Sequence, residues 1–284
     1  RDLNAKVGAI TVKDAIVGLE HHDPTDVIVV ISKPPAKEVR DEVVALLQKC
    51  TKPVVAIFLG EKPENHEGKV YLAHTLEETA RMAVDLANGD PVKDNYCDPI
   101  DYEVSRPLAA DKTVKGLYSG GSLAAEAGML IAEALNLGGL IKEEGYILKT
   151  GGYEVVDLGD DVYTQGKPHP MIDPEVRIKK ILECAKDPQT GVILLDCMLG
   201  YGCHPDMAGA LAPAIREAQK IAKADGRELY FVASVCGTRQ DPQDYDRAVA
   251  ELKECGVLVE ESNARAIRLA LKLKGIDYKE NTRG

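Results

Sequence analysis

The sequence predicts an α/β protein made of two parallel-sheet units, and three observations predict it. From Val114 onward, short apolar runs of strand length alternate with segments of helical period, the pattern of a parallel sheet covered by helices on both faces. Three blocks of that second half recur in the first half in the same order. Between the halves, residues 90–113 carry Pro91, Pro99 and Pro107 and few periodic apolar residues, so they read as a linker.

The first half, 1–89, starts with a helix over Val12–His21. Asp23-Pro24-Thr25-Asp26 then turns into the strand VIVVI, a second strand lies within Thr51–Gly60, and Val70–Ala80 runs from a short strand into an amphipathic helix. In the second half, 114–284, a strand at Val114–Tyr118 leads to a helix over Leu123–Leu135, rich in the strong helix formers Ala, Leu and Met. A strand at Tyr153–Leu158 precedes a helix over Pro174–Lys186, with Pro174 suited to the first turn. The strand Val192–Asp196 is followed by a glycine-bearing loop and the Ala-rich helix Met207–Ala224. Leu229–Val235 is the fourth strand, with a helix near Gln243–Cys255; Val257–Val259 is the fifth, with a last helix capped by Ser262. This order of strands and helices gives a flavodoxin-like unit.

The repeat extends the same architecture to the first half. Asp23-Pro24 with its strand answers Asp187-Pro188 with GVILLD, TKPVVAIFLG answers ELYFVASVCG, and VYLAHTLEETA answers VLVEESNARAI. The first copy lacks an opening strand and helix, so it is expected to be an incomplete flavodoxin-like unit in the later part of a longer protein.

Composition excludes several classes. Charged residues form 29% and hydrophobic residues 45% of the chain, near the values of ordinary globular proteins. Asp and Glu outnumber Lys and Arg by 46 to 35 with no clustered basic tract, so no nucleic-acid partner is expected. No run approaches the roughly 18 apolar residues of a membrane span, and Arg1 opens no signal peptide, so a cytoplasmic chain without a membrane partner is expected. Seven cysteines without a CxxC read as reduced thiols, with Cys184, Cys197, Cys236 and Cys255 in or beside apolar runs as small hydrophobes.

In a doubly wound sheet, ligands bind beyond the carboxyl ends of the strands where strand order reverses. Two loops of the second unit are nominated by that rule. Ser119-Gly120-Gly121-Ser122 opens a helix, where unpaired N–H groups and the helix dipole favour an anion. The loop 199–206, with Gly200 and Gly202, precedes another helix and is expected to face the first. The structural alternative is that Ser122 caps its helix and the glycines make a tight turn. In the first unit, Ser32-Lys33-Pro34-Pro35 fills the corresponding loop with prolines that offer no N–H donors. Ser234, Gly237 and Thr238 flank the end of the fourth strand and join the candidate anion or substrate site. His169 and His204 are the candidates for acid or base work, beside the reading of each as an ordinary loop histidine. No ligand spacing for a metal is present, and none is expected.

Several strings in order across nearly the whole chain then resemble the FdrA family: Arg1-Asp2-Leu3, Ser32-Lys33-Pro34-Pro35, Ser119-Gly120-Gly121-Ser122-Leu123, Leu158-Gly159-Asp160-Asp161, Gly166-Lys167-Pro168-His169-Pro170-Met171-Ile172-Asp173-Pro174 and Ser234-Val235-Cys236-Gly237-Thr238. That family is similar to succinyl-CoA synthetase α-subunits and ADP-forming acyl-CoA synthetases, and normally carries an upstream nucleotide-fold domain. The resemblance therefore implies succinyl-CoA synthetase-like units and two chemistries. One is a subunit of a carbamoyltransferase of the oxamate class, in purine and allantoin breakdown, with carbamoyl phosphate or phosphate as ligand. The other is an ADP-forming acyl-CoA synthetase, for which CoA and a nucleotide are implied. The synthetases phosphorylate a histidine in a Gly-His-Ala-Gly-type loop; here Gly60–Gly68 holds His66 without those neighbours and between glutamates that repel phosphate. Carbamoyl transfer needs no phosphohistidine, so the carbamoyltransferase subunit is the expectation, ahead of the CoA ligase and of a non-catalytic scaffold. The expected partners are the other transferase subunits and the upstream domain, in an oligomer.

Overall fold

A computed structural model describes residues 2–141 and 143–280. Arg1, part of the first string quoted above, lies outside them. The chain divides into two compact units, one reaching Pro99 and including Glu280, the other spanning Ile100–Lys279. The stretch read as a linker is shared between the two rather than free-standing. Tyr96 is buried and donates to Asp85, whereas Ile100, Tyr102, Val104 and Leu108 pack on the core of the second unit.

The first unit runs α1 (Ile10–Glu20), β1 (Ile28–Ser32), α2 (Lys37–Leu47), β2 (Val54–Phe58), β3 (Val70–Leu72) and α3 (Leu76–Asn88). Its sheet is parallel, in the order β1-β2-β3. Every residue of the β-branched and aromatic strand β2 is buried, as a central strand requires. On β1, Ile28 and Val30 face the core while Val29 and Ile31 alternate outward, Ile31 being 56% exposed.

The second unit contains β4 (Thr113–Tyr118), α4 (Gly121–Leu135), β5 (Tyr146–Thr150), β6 (Tyr153–Asp157), α5 (Asp161–Thr164), α6 (Glu175–Lys186), β7 (Thr190–Met198), α7 (Met207–Ala224), β8 (Tyr230–Cys236), α8 (Tyr245–Glu254), β9 (Val257–Glu260) and α9 (Asn263–Leu273). The sheet order is β5-β6-β4-β7-β8-β9. From β6 to β9 all pairs are parallel and the order is flavodoxin-like, with α6, α7 and α8 on one face and α4 and α9 on the other. Strand β5 is an addition to the expected set. It pairs antiparallel with β6 through a Gly151-Gly152 turn whose φ values, 55° and 85°, suit glycine.

The units share pairing details that the repeated blocks anticipate. Val70 pairs with Val54 as Val257 pairs with Phe231. Thr75 caps α3 by accepting from the Glu78 amide, and Ser262, at the matching position, caps α9 by accepting from the Arg265 amide, each at 3.1 Å. The first strand of each set is offset by one residue: Ile28 pairs with Val54, but Ile193 rather than Val192 pairs with Phe231. The two units differ in their helices as well, because α8 lies between β8 and β9 while no helix lies between β2 and β3.

Candidate functional site

The switch point of the second sheet lies between β4 and β7, whose chains leave in opposite directions across the sheet. Beyond the end of β4, Ser119 is fully buried and bound to Asp196 of β7. Its N–H donates to Oδ1 at 2.9 Å and to Oδ2 at 3.2 Å, and its Oγ donates to Oδ2 at 2.5 Å. From the side of α6, the buried Arg177 donates through Nη2 to Asp196 Oδ1 at 2.9 Å and to the Asp196 carbonyl at 2.6 Å. A desolvated carboxylate thus carries charge-assisted bonds from both a guanidinium and the glycine loop.

The chain then enters α4. Gly120 is the N-cap with extended backbone and no side-chain cap, and Ser122 is an exposed residue of the first turn. The capping role considered for Ser122 is therefore corrected. The amides of Gly121 and Ser122 have no side-chain cap in a turn where the helix dipole favours negative charge.

The second glycine loop is tied to the segment before α8. Gly200 donates its N–H to Gln243 Oε1 at 2.9 Å, while Gln243 Nε2 donates to the carbonyls of Gly200 and His204 at 3.0 and 3.3 Å. The Gly200 amide is thereby engaged by the start of the α8 segment. Gly202 is exposed with φ 82°, and Asp206 caps α7 by accepting from the Gly209 amide. Between the two loops lies His169–Met171. Met171 Cε would stand 3.0 Å from a Cβ at Gly120, and its carbonyl accepts from the His204 amide at 2.7 Å. Met171 thus touches both loops.

His169 and His204 share one feature. The Nδ1 of His169 accepts from the Met171 amide at 3.2 Å, and the Nδ1 of His204 from the Asp206 amide at 3.0 Å. In the first unit, His66 Nδ1 likewise accepts from the Leu72 amide at 3.0 Å. A neutral ring bound this way carries its proton on Nε2, so its basic lone pair is already engaged. A Cβ at Gly159 would fall 2.6 Å from His169 Nε2 and 2.7 Å from the Ser119 carbonyl oxygen, so glycine lets these segments approach.

Ser234 is level with Asp196 on the neighbouring strand and 3% exposed, and its Oγ has no hydrogen-bond partner among the described residues. Gly237 lies against Leu199, where a Cβ would come within 2.6 Å. Thr238 is exposed in a turn closed by Asp241 and Gln240. Cys236 is exposed rather than a core residue, while burial pushes the Cys197 thiol up to about 12. Among the described residues no cluster of His, Cys, Asp or Glu is placed to hold a metal, and no helix is long and apolar enough to cross a membrane.

Sequence reasoning missed the roles of Asp196, Arg177 and Gln243. Two of the three left a signal. Asp196 is an acid closing an otherwise apolar strand, and Arg177 occupies the buried stripe of α6 with Ile181, Cys184 and Ala185.

Residues 117–273, nearly all of the second unit, match the CoA-ligase family, and the chain belongs to that family. It is also 36% identical, over 287 aligned positions and 95% of its own length, to an uncharacterized protein of Escherichia coli strain K12 called YahF. The alignment covers 55% of YahF, so the chain spans about half the length of this curated relative.

Proposed function

We propose that the chain is an FdrA-type member of the CoA-ligase family that acts as part of an acid–thiol ligase, holding the phosphoryl group of an acyl phosphate at the start of α4. The observation that carries this reading is the uncapped first turn of α4 at the switch point, inside the family match. Amides directed at a phosphoryl or carbonyl oxygen stabilise the charge that develops when a thiol displaces phosphate from the acyl carbon. A carbamoyl phosphate offers the same phosphoryl group beside a carbonyl, which gives a second reading; neither reading needs a phosphohistidine at His66, His169 or His204, whose Nδ1 atoms are engaged.

One experiment separates the two. The full-length protein, co-purified with its partners, is given labelled ATP, CoA and a set of carboxylic acids, and in parallel carbamoyl phosphate and oxamate. The ligase reading expects acyl-CoA with release of ADP and phosphate, without acid-labile, base-stable label on these three histidines. Gly121→Asp, which adds bulk and like charge at the amides, should abolish turnover. Exchange of carbamoyl groups without acyl-CoA would replace the first reading by the second.

A further inference from the structure

We propose that Asp196 is a positioning residue that sets the direction of the Gly120–Ser122 amides through Ser119, and that Arg177 holds its charge in place from within the core. The inference rests on the anion-site reading of that loop. Three separate contacts converge on one carboxylate: the Ser119 amide, the Ser119 hydroxyl and the Arg177 guanidinium. Neither Asp196 nor Arg177 is more than 1% exposed, so solvent cannot substitute for any of them. Arg177 also binds the Asp196 carbonyl and approaches the Leu117 carbonyl at 3.4 Å, which ties together the ends of the two strands that part at the switch point.

An acidic residue beneath an anion-binding loop would ordinarily oppose the anion. Here the guanidinium bound to the same carboxylate offsets its charge, leaving its geometric effect on the loop. Because Ser119 immediately precedes the N-cap Gly120, fixing its peptide on both amide and hydroxyl sides fixes where the next N–H groups point. A second observation lies at the same level of the sheet. The Oγ of Ser234, beside Asp196, is buried and without a partner among the described residues, as expected of a hydroxyl that meets a bound ligand. Among the described residues Arg177 Nε is likewise buried and unpartnered, so the guanidinium is held through its Nη2 contacts.

The test measures inorganic phosphate binding to the full-length protein by titration calorimetry, with acetyl phosphate as a second probe. Ser119→Ala removes the hydroxyl tie, and Asp196→Glu keeps the charge while displacing the loop by one methylene. Each should weaken phosphate binding on the order of tenfold to a hundredfold, the scale on which small misplacements act. Ser119→Thr, which restores the hydroxyl, should recover most of it. Amide hydrogen exchange over residues 119–122 should quicken in the two weakened variants, a readout available even where one of them melts early. Lys115→Met is the control. It removes a buried cation of β4 paired with Glu154 and Asp187 without touching the loop, and should lower stability while leaving phosphate affinity unchanged.

A wild-type protein that binds neither probe removes the anion-site reading, and this inference with it. If the wild type binds while folded Ser119→Ala and Asp196→Glu bind equally well, the positioning role alone is overturned.

Discussion

At the scale of single residues, a side chain of the first unit shows how geometry becomes a pH response. Glu20, at the end of α1, accepts from the Thr51 hydroxyl at 2.6 Å and from the Thr51 amide at 2.7 Å. These bonds hold its carboxyl down at about 2, from an ordinary value of 4.5. A depressed carboxyl contributes stability that is fully present above pH 4.5 and is lost as pH falls through about 2. Glu20→Gln removes this titrating contribution. The difference in denaturant midpoint between wild type and Glu20→Gln should therefore shrink as pH falls through that window; a constant difference would show that the Thr51 contact has no such linkage. Residues of this kind illustrate what the sequence conceals. The glycine loops and both histidines were legible because Gly and His announce special chemistry by type. Gln243 was not, because a glutamine at a helix start gives no sign that it will bind a loop carbonyl and amide forty residues back. Asp196 was visible only as a break in apolarity, since its partners Ser119 and Arg177 are brought to it by tertiary folding.

At the scale of elements, strands β4 and β6 to β9 and their order were legible because buried parallel strands leave near-continuous apolar runs. Strand β5 escaped, although Thr150-Gly151-Gly152-Tyr153 is a hairpin signature, because YILKT is only half-buried and follows no period that separates it from a loop. The one-residue offset arises because Asp23 lies five residues before Ile28 while Asp187 lies six before Ile193, so aligning the Asp-Pro turns and aligning the strands give different registers. Adjacent β-branched residues are interchangeable in a block comparison, and pairing alone decides which of them faces which layer. The hairpin carries its own prediction. Gly152 has φ 85°, and a Cβ there would approach Thr113 Cγ2 to 3.0 Å. Gly152→Ala should therefore lower unfolding stability by about 1–2 kcal/mol, the cost of a left-handed non-glycine residue, measured by urea titration. A neutral result would mean that the β5–β6 turn relaxes without consequence.

At the scale of the whole molecule, the two units differ in how completely their sheets are clothed. In the second, β7 lies between β4 and β8, and Leu194 is fully buried. In the first, β1 ends the sheet, and Val29, which pairing places level with Leu194, is 37% exposed beside the still more open Ile31. The strands of the first unit were thus legible from the repeat, whereas the apolar strand at the margin of its sheet was not. That margin has a consequence for handling the protein. A strand with one side unpaired among the described residues and with outward-facing Val and Ile is a template on which another polypeptide can continue the hydrogen-bond ladder, so concentrated solutions of this chain should self-associate there first. Ile31→Lys places a charge on that seam without entering the core, and should reduce light scattering at high protein concentration while leaving the melting temperature close to that of the wild type. Unchanged scattering would locate the adhesive surface elsewhere. Read this way, β1 is a seam ready to be sewn: whatever strand reaches it first, native or foreign, inherits the place beside it.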